Sequence, residues 1–131
     1  MSEGTLTWDV VCALDGEALN LAVEHWCLGH VWQQETVAEL GQRWVLRPAD
    51  GGTIYSSVPH LHTTAQWEAC MALCWRYGLA IHAPYKGYDG YVCLIARPDS
   101  SAQICHTEAE ARRAICQLAV WAAIQHAQAQ G

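Results

Sequence analysis

The last third of the chain carries the pattern that most restricts the fold, a capped helix with a stripe of small apolar residues. Thr107 and Glu110 stand three residues apart, so each side chain can hydrogen-bond the other's backbone and start a helix. The stripe behind this start consists of Ala111, Ala114, Ile115, Leu118, Ala119 and Ala122. Such short side chains let a helix pack close to a sheet. Trp121 and Ile124 fall toward a second side, which favours cover by another subunit, as in a homodimer; residues 126–131 are expected to fray.

Two earlier segments show the same helical period. Asp15 can cap a helix that Gly29 ends, and its apolar stripe is Leu19, Ala22, Val23, Trp26 and Cys27. Thr63 and Gln66 repeat the reciprocal capping pattern, and Gly78 closes the helix that follows. The stripe of this second helix is Trp67, Cys70, Met71 and Cys74. The chain is therefore expected to form three helices.

The remaining apolar segments are short and bounded by turn residues, which is typical of strands. The predicted strands are residues 5–11, 43–47, 53–55, 79–81, 91–96 and, at an edge, 102–105. The turns at 49–52 and 86–90 join four of them into two hairpins, whereas 37–40 is interpreted as a helical turn. These elements predict an α+β fold, an α-β-α sandwich-like arrangement with a predominantly antiparallel sheet of about four to five strands and three helices. With 131 residues we expect a single domain, 1–131, with its core at about 5–125.

The charge balance restricts the class of partner. The net charge is −6, Lys86 is the only lysine, and the densest basic cluster is the pair Arg112 and Arg113. A nucleic-acid binder needs clustered positive charge, so direct nucleic-acid binding is disfavoured and a basic protein partner fits better. The chain also has seven Trp and no Phe. A small core does not readily hide seven indoles, so we expect one or two Trp at a contact surface.

The cysteines and the start of the chain predict a cytoplasmic protein. Residues 1–15 lack the basic and apolar pattern of a signal peptide, and no stretch reaches the ~18 apolar residues of a membrane span. Seven cysteines are present, and four of them, Cys27, Cys70, Cys74 and Cys116, occupy apolar stripes. We therefore interpret the thiols as reduced, small core side chains. We expect neither membrane association nor a cofactor.

Three patches of sequence are considered together: the helix from Leu14-Asp15 to Gly29 with Trp32 beyond it, the segment from Pro59 to Trp67 and Glu68, and the last helix with Thr107 and Ala114-Ile115-Cys116. They resemble the phage α-β-α (ABA) sandwich domain family of uncharacterised phage and prophage proteins. The similarity covers roughly residues 14–124. It implies a phage or prophage origin and action inside an infected bacterium. The family has no established activity, so the resemblance brings no catalytic residues.

No catalytic motif is evident in the chain. Candidate zinc ligands are numerous, namely His25, Cys27, His30, His60, His62, Cys70, Cys74, Cys105 and His106, but they do not form two close pairs of the kind that structural zinc needs. A reactive thiol would need electropositive surroundings, which are scarce with seven basic residues. Neither a phosphate loop nor a nucleophile elbow is present. We therefore predict no metal site and no enzyme.

Aromatic and imidazole groups near the loops are the best candidates for recognition. His82, Tyr85 and Tyr88 cluster around the second hairpin, where Tyr side chains make good contact groups. His60 and His62 precede the second capped helix and could form a polar pocket at its positive end. Trp121 is the candidate on the last helix.

The function predicted from these features is a non-enzymatic, phage-type binding module that engages a host protein. Its most specific form is an inhibitor of bacterial defence, for instance of a CRISPR effector. One alternative is an oligomeric sponge that sequesters a small nucleotide-type ligand. Another is an enzyme that depends on zinc or on a thiol.

Overall fold

The computed structural model describes residues 7–48, 51–61, 66–82, 93–96 and 102–130. The helices are α1 (Trp8–Cys12), α2 (Gly16–Ala22), α3 (Trp67–Tyr77) and α4 (Glu108–Gln130), and a π-helical turn, Val23–Cys27, continues α2. The strands are β1 (Trp32–Val37), β2 (Gly41–Leu46), β3 (Ile54–Ser56), β4 (Ile81–His82), β5 (Cys93–Ala96) and β6 (Ala102–Cys105). The fold is therefore α+β.

The six described strands form two sheets, where the sequence predicted one sheet of about four to five strands. Each is antiparallel and three-stranded in the part of the chain that the structure describes, in the orders β1-β2-β3 and β4-β5-β6. Both predicted hairpin pairings are confirmed, because β2 pairs with β3 and β4 with β5. The predicted helical turn at 37–40 is wrong. Glu39 (φ 74°) and Gly41 (φ 77°) adopt left-handed conformations there, which turns β1 back onto β2.

The predicted first strand is also wrong, because the described part of residues 5–11 is helical. Thr7 caps α1 by accepting a hydrogen bond from the Val10 amide at 3.3 Å, and Asp9 lies in the first turn. Val11 is fully buried while Val10 is exposed. The alternation of apolar and polar residues that predicted a strand ends at Val10 and Val11, which are both apolar. The cap at Thr7 favours a helix instead.

The core surrounds α4. Its long buried stretch contacts α1, α2, the π-helical turn, α3, β5 and β6. The second side of α4 is covered within the same chain, since the Trp8 ring on α1 meets the Trp121 ring edge-on at 5.9 Å between centroids. Gln117 ties α1 and α4 together further, because its side-chain amide donates to the carbonyls of Cys12 (3.1 Å) and Leu14 (2.8 Å). The observation behind the homodimer prediction is thus explained without a second subunit.

The predicted helix ends hold in part. Thr107 accepts a hydrogen bond from the Glu110 amide at 3.0 Å, which confirms the cap of α4. Gly78 ends α3 in the left-handed conformation, as expected. Gln66 is instead the first cap residue of α3 and makes no side-chain capping bond, while its predicted partner Thr63 lies outside the described residues. The residues expected to fray are helical as far as Gln130.

The length of α4 raises the question of a membrane span. Its 23 residues include several charged and polar groups. Within the described ranges, none of the helices combines the length and the apolar character needed to cross a bilayer.

Candidate functional site

The least expected feature of the structure is a buried carboxylate at the junction between the π-helical turn and the first sheet. Glu24 is only 1% exposed. Its Oε1 accepts hydrogen bonds from His30 Nδ1 at 2.7 Å and from Trp32 Nε1 at 2.9 Å, and its Oε2 accepts one from the Leu61 amide at 2.7 Å. One side chain thus joins the helix, the start of β1 and the loop before α3.

These contacts determine which nitrogen of His30 carries hydrogen. The indole of Trp32 and the amide of Leu61 can only donate, and donors directed at a carboxyl group favour its ionised form. An ionised carboxylate only accepts, so we assign a hydrogen to His30 Nδ1. The ring is then oriented by Glu24, and Nε2 is left for other chemistry. Nε2 has no hydrogen-bond partner among the described residues.

The local backbone explains how Glu24 and His30 meet although they are six residues apart. The Leu28 amide donates to the Val23 carbonyl at 3.1 Å, the wider bond of a π-helical turn. Gly29 then adopts φ 67°, and the His30 amide returns to the Glu24 carbonyl at 2.9 Å. A left-handed glycine is needed at this reversal, because most other residues are strained at such a φ. The reversal folds the His30 ring back onto the helix.

A cleft of about 560 Å³ opens beside this dyad. Its walls are the chain segment 28–31, which leaves the π-helical turn, and residues 46–48, which end β2. Among the described residues that line it, His30, whose side chain is 27% exposed, and Arg47 are the basic ones, and neither segment contains an acidic residue. Arg47 also forms a bidentate ion pair with Glu35 of β1, at 2.5 and 2.9 Å. This pairing lowers the pKa of Glu35 and raises the pKa of Arg47. The cleft has the size of a small-molecule site.

A second feature is the outer side of α3, which we call the Trp75 face and define as Glu68, Met71, Ala72 and Trp75. All four are exposed; Trp75 is 91% exposed and Met71, one turn earlier, is 49% exposed. A groove of about 290 Å³ runs beside this face and is lined by Ala72 and by Leu61, Ala69 and Arg76, among others. An exposed Trp was expected from the surplus of indoles, and the structure shows which one it is.

The four thiols on the predicted apolar stripes are buried, as the sequence predicted. Cys27, Cys70, Cys74 and Cys116 form no disulfide, and the sulfurs of Cys70 and Cys116 lie 3.7 Å apart. Burial raises the pKa of Cys27 to about 11. The hydrogen bond with Cys70, followed by burial, raises the pKa of Cys116. These raised pKa values keep Cys27 and Cys116 protonated at neutral pH, which is the opposite of what a nucleophilic thiol requires.

The three predicted site residues that the structure describes, His60, His82 and Trp121, lie on different segments of the chain. His60 is half-buried next to Leu61, whose amide binds Glu24, and Trp121 packs against Trp8 on the far side of α4. His82 lies in β4, where its backbone pairs with Leu94. The other three predicted site residues, His62, Tyr85 and Tyr88, lie outside the described residues.

Sequence reasoning missed the Glu24–His30 dyad. His30 entered only as a zinc candidate, and His25, another of those candidates, stacks edge-on against Trp26 with ring centroids 5.0 Å apart. A signal was present, because Glu24 borders the apolar stripe of the first predicted helix, one turn after Asn20, and both are buried. An acidic residue at that border indicates a buried carboxylate that needs donors.

Among the residues that the structure describes, no three His, Cys, Asp or Glu side chains are gathered so that they could hold a metal ion. Comparisons with protein-family models, with curated proteins and with solved structures found no match to this chain. The resemblance to the phage ABA sandwich family therefore stays a prediction, and the function has to be argued from the two sites themselves.

Proposed function

We propose that this chain is a non-enzymatic binding module that engages a host protein in the bacterial cytoplasm through the Trp75 face. The exposure of Trp75 carries the proposal. A Trp side chain can bury 150–250 Å² or so on contact, and Trp is among the residues that dominate binding energy at interfaces. An indole that is 91% exposed contributes little to the fold, so it is available to a partner.

The surroundings of Trp75 fit a protein partner better than a small molecule. Met71 extends the apolar contact along the helix, and Met adapts its shape to varied surfaces. The neighbouring groove can accept an apolar side chain between Leu61 and Ala69. A helix face with an adjoining groove offers the larger, mixed surface that protein interfaces use.

The charge of the chain favours a basic partner. Thirteen acidic residues outnumber seven basic ones, so the net charge is −6. Charge complementarity of this kind speeds the encounter and disfavours acidic competitors. A phage-type origin and the inhibition of a bacterial defence system extend the proposal, and both depend on the resemblance described above.

Site-specific photo-crosslinking in bacterial cells tests the proposal. A photoactivatable residue at position 75 should yield an adduct with one basic bacterial protein. The same residue at position 55 should not, because Tyr55 lies on β3, outside the Trp75 face; it serves as the control since it is also an exposed aromatic residue, at 49%. The partner, identified by mass spectrometry and purified, should bind wild-type protein, and Trp75→Ala should weaken binding by about 30-fold or more, as for an interface hot spot.

Three outcomes would overturn the proposal. Equal yields of the same adduct at positions 75 and 55 would show that the partner does not bind preferentially at the Trp75 face. An adduct with a second copy alone would make it a dimer interface. Equal affinity of the purified partner for wild type and Trp75→Ala would place binding elsewhere.

A further inference from the structure

The cleft between residues 28–31 and 46–48 holds an arrangement that protein binding on α3 does not use. It lies at the end of the π-helical turn, and its basic side chains are His30 and Arg47. None of the described residues that line it is acidic, although the chain as a whole carries a charge of −6. Among the described residues, the lining of this cleft is therefore a local exception to the overall charge.

His30 is held in place from behind. The carboxylate of Glu24, 1% exposed, accepts from Nδ1 at 2.7 Å and is itself fixed by Trp32 and Leu61. The ring therefore needs no reorganisation to present Nε2 to a ligand, and preorganisation of this kind lowers the entropy lost on binding.

Arg47 brings a second set of donors. A guanidinium has five N–H groups, and the ion pair with Glu35 uses two of them. The remaining donors can bind a further oxygen anion. Because its side chain is more than half exposed, Arg47 can also leave Glu35 for a ligand at small cost.

We propose that this cleft binds a small organic molecule through a carboxylate or phosphate group. The anionic group accepts hydrogen bonds from His30 Nε2–H and from the guanidinium of Arg47. The apolar part of the molecule rests against Val31 and Pro48. Carboxylates and phosphates share the oxygen geometry that a guanidinium recognises.

The test is an NMR titration of the full chain with two probes, inorganic phosphate and benzoate, which represent the two anion types. The wild type should bind at least one of them saturably, with a Kd on the order of 1 mM for such small probes. The resonances of His30 and Arg47 should shift most. Tighter binding of benzoate would identify a carboxylate ligand, and tighter binding of phosphate would identify a phosphate ligand.

Three variants separate binding from a structural role. Arg47→Gln and His30→Gln should each lower the affinity for the more tightly bound probe by about tenfold, the effect of one charge-assisted hydrogen bond. Glu35→Gln breaks the same ion pair as Arg47→Gln but leaves the cation, so it should keep or tighten binding. No saturable binding of either probe by the wild type would overturn the proposal. Equal losses in Glu35→Gln and Arg47→Gln would also overturn it, since only the ion pair would then matter.

Discussion

The core around α4 and the sheet of β1, β2 and β3 are held in the molecule by different kinds of interaction. The core is apolar, and alanines, isoleucines and thiols from α4 and its neighbours fill it. The sheet has buried side chains of its own, Val45 and Leu46, but they lie outside that core cluster. Its junction with the helices includes the carboxylate of Glu24 and the donors around it.

The two kinds of interaction respond differently to change. Apolar packing weakens in proportion to the volume that is lost, and the rest of the core relaxes around the gap. A buried carboxylate with several donors is disrupted as a whole, because the removal of the acceptor leaves every donor unpaired. The core should therefore lose stability globally, whereas the sheet should be able to open locally.

The largest effect is expected from Ile115→Ala in the middle of α4. Ile115 is fully buried, so the substitution should lower the free energy of unfolding by about 4 kcal/mol through lost burial and a new cavity. Urea denaturation followed by circular dichroism measures the loss. Ile104→Ala is the matched control, since Ile104 lies on β6 and is about half exposed. If the two substitutions cost the same, α4 is not the centre of the core.

Glu24→Ala should have the next largest effect and should act mainly on the first sheet. It leaves His30 Nδ1, Trp32 Nε1 and the Leu61 amide without their acceptor, and we expect a loss of about 3 kcal/mol. Hydrogen exchange should speed up in β1–β3 while α4 keeps its protection. Glu17→Ala provides the control on the same helical segment, because Glu17 is exposed in the first turn of α2. Equal loss of protection in both regions would contradict the proposed local opening.

The same contrast explains how much of the fold could be predicted from the sequence. Helical stripes and strand pairs depend on short-range periodicity, so α2, α3, α4 and both hairpin pairings were recognised, as was the burial of Cys27, Cys70, Cys74 and Cys116. The inclusion of Met71 in the buried stripe of α3 was wrong, since this side chain is 49% exposed. α1 is only five residues long, too short to show a helical period. There the cap at Thr7 favoured a helix although apolar and polar residues alternate. Local patterns also do not state how strands are grouped, so the division into two sheets was missed.

The candidate site was harder to predict because it depends on contacts between residues that are far apart in the sequence. Leu61 reaches Glu24 across 37 positions, and residues 46–48 meet 28–31 only through the pairing of β1 with β2. Trp75 shows the reverse case. A surplus of indoles predicted an exposed Trp, but the choice among seven required the packing of α3.

A smaller loss of stability is expected in alkaline solution, where the buried thiol of Cys27 in the core ionises. Burial raises the pKa of Cys27 in the folded chain from about 9 to about 11, so its contribution to stability is complete below about pH 9 and is lost as the pH rises through about 11. Two pKa units correspond to roughly 2–3 kcal/mol. Urea denaturation at pH 7.5 and at pH 10.5 should show the loss, and Cys27→Ala should reduce it. A pH dependence that is identical in the variant would mean that Cys27 is not its source.

The smallest effect is expected at the Trp75 face. Trp75→Ala should change the free energy of unfolding by less than about 0.5 kcal/mol, because the side chain is almost fully exposed. Trp121→Ala is the matched indole, and it should cost several times more since Trp121 packs against Trp8. A large loss in Trp75→Ala would show that the indole contributes to folding, and the argument that it is kept for a partner would fail. A negligible loss of stability, together with weaker partner binding, would show that the binding surface contributes neither to the core nor to the sheet of β1, β2 and β3.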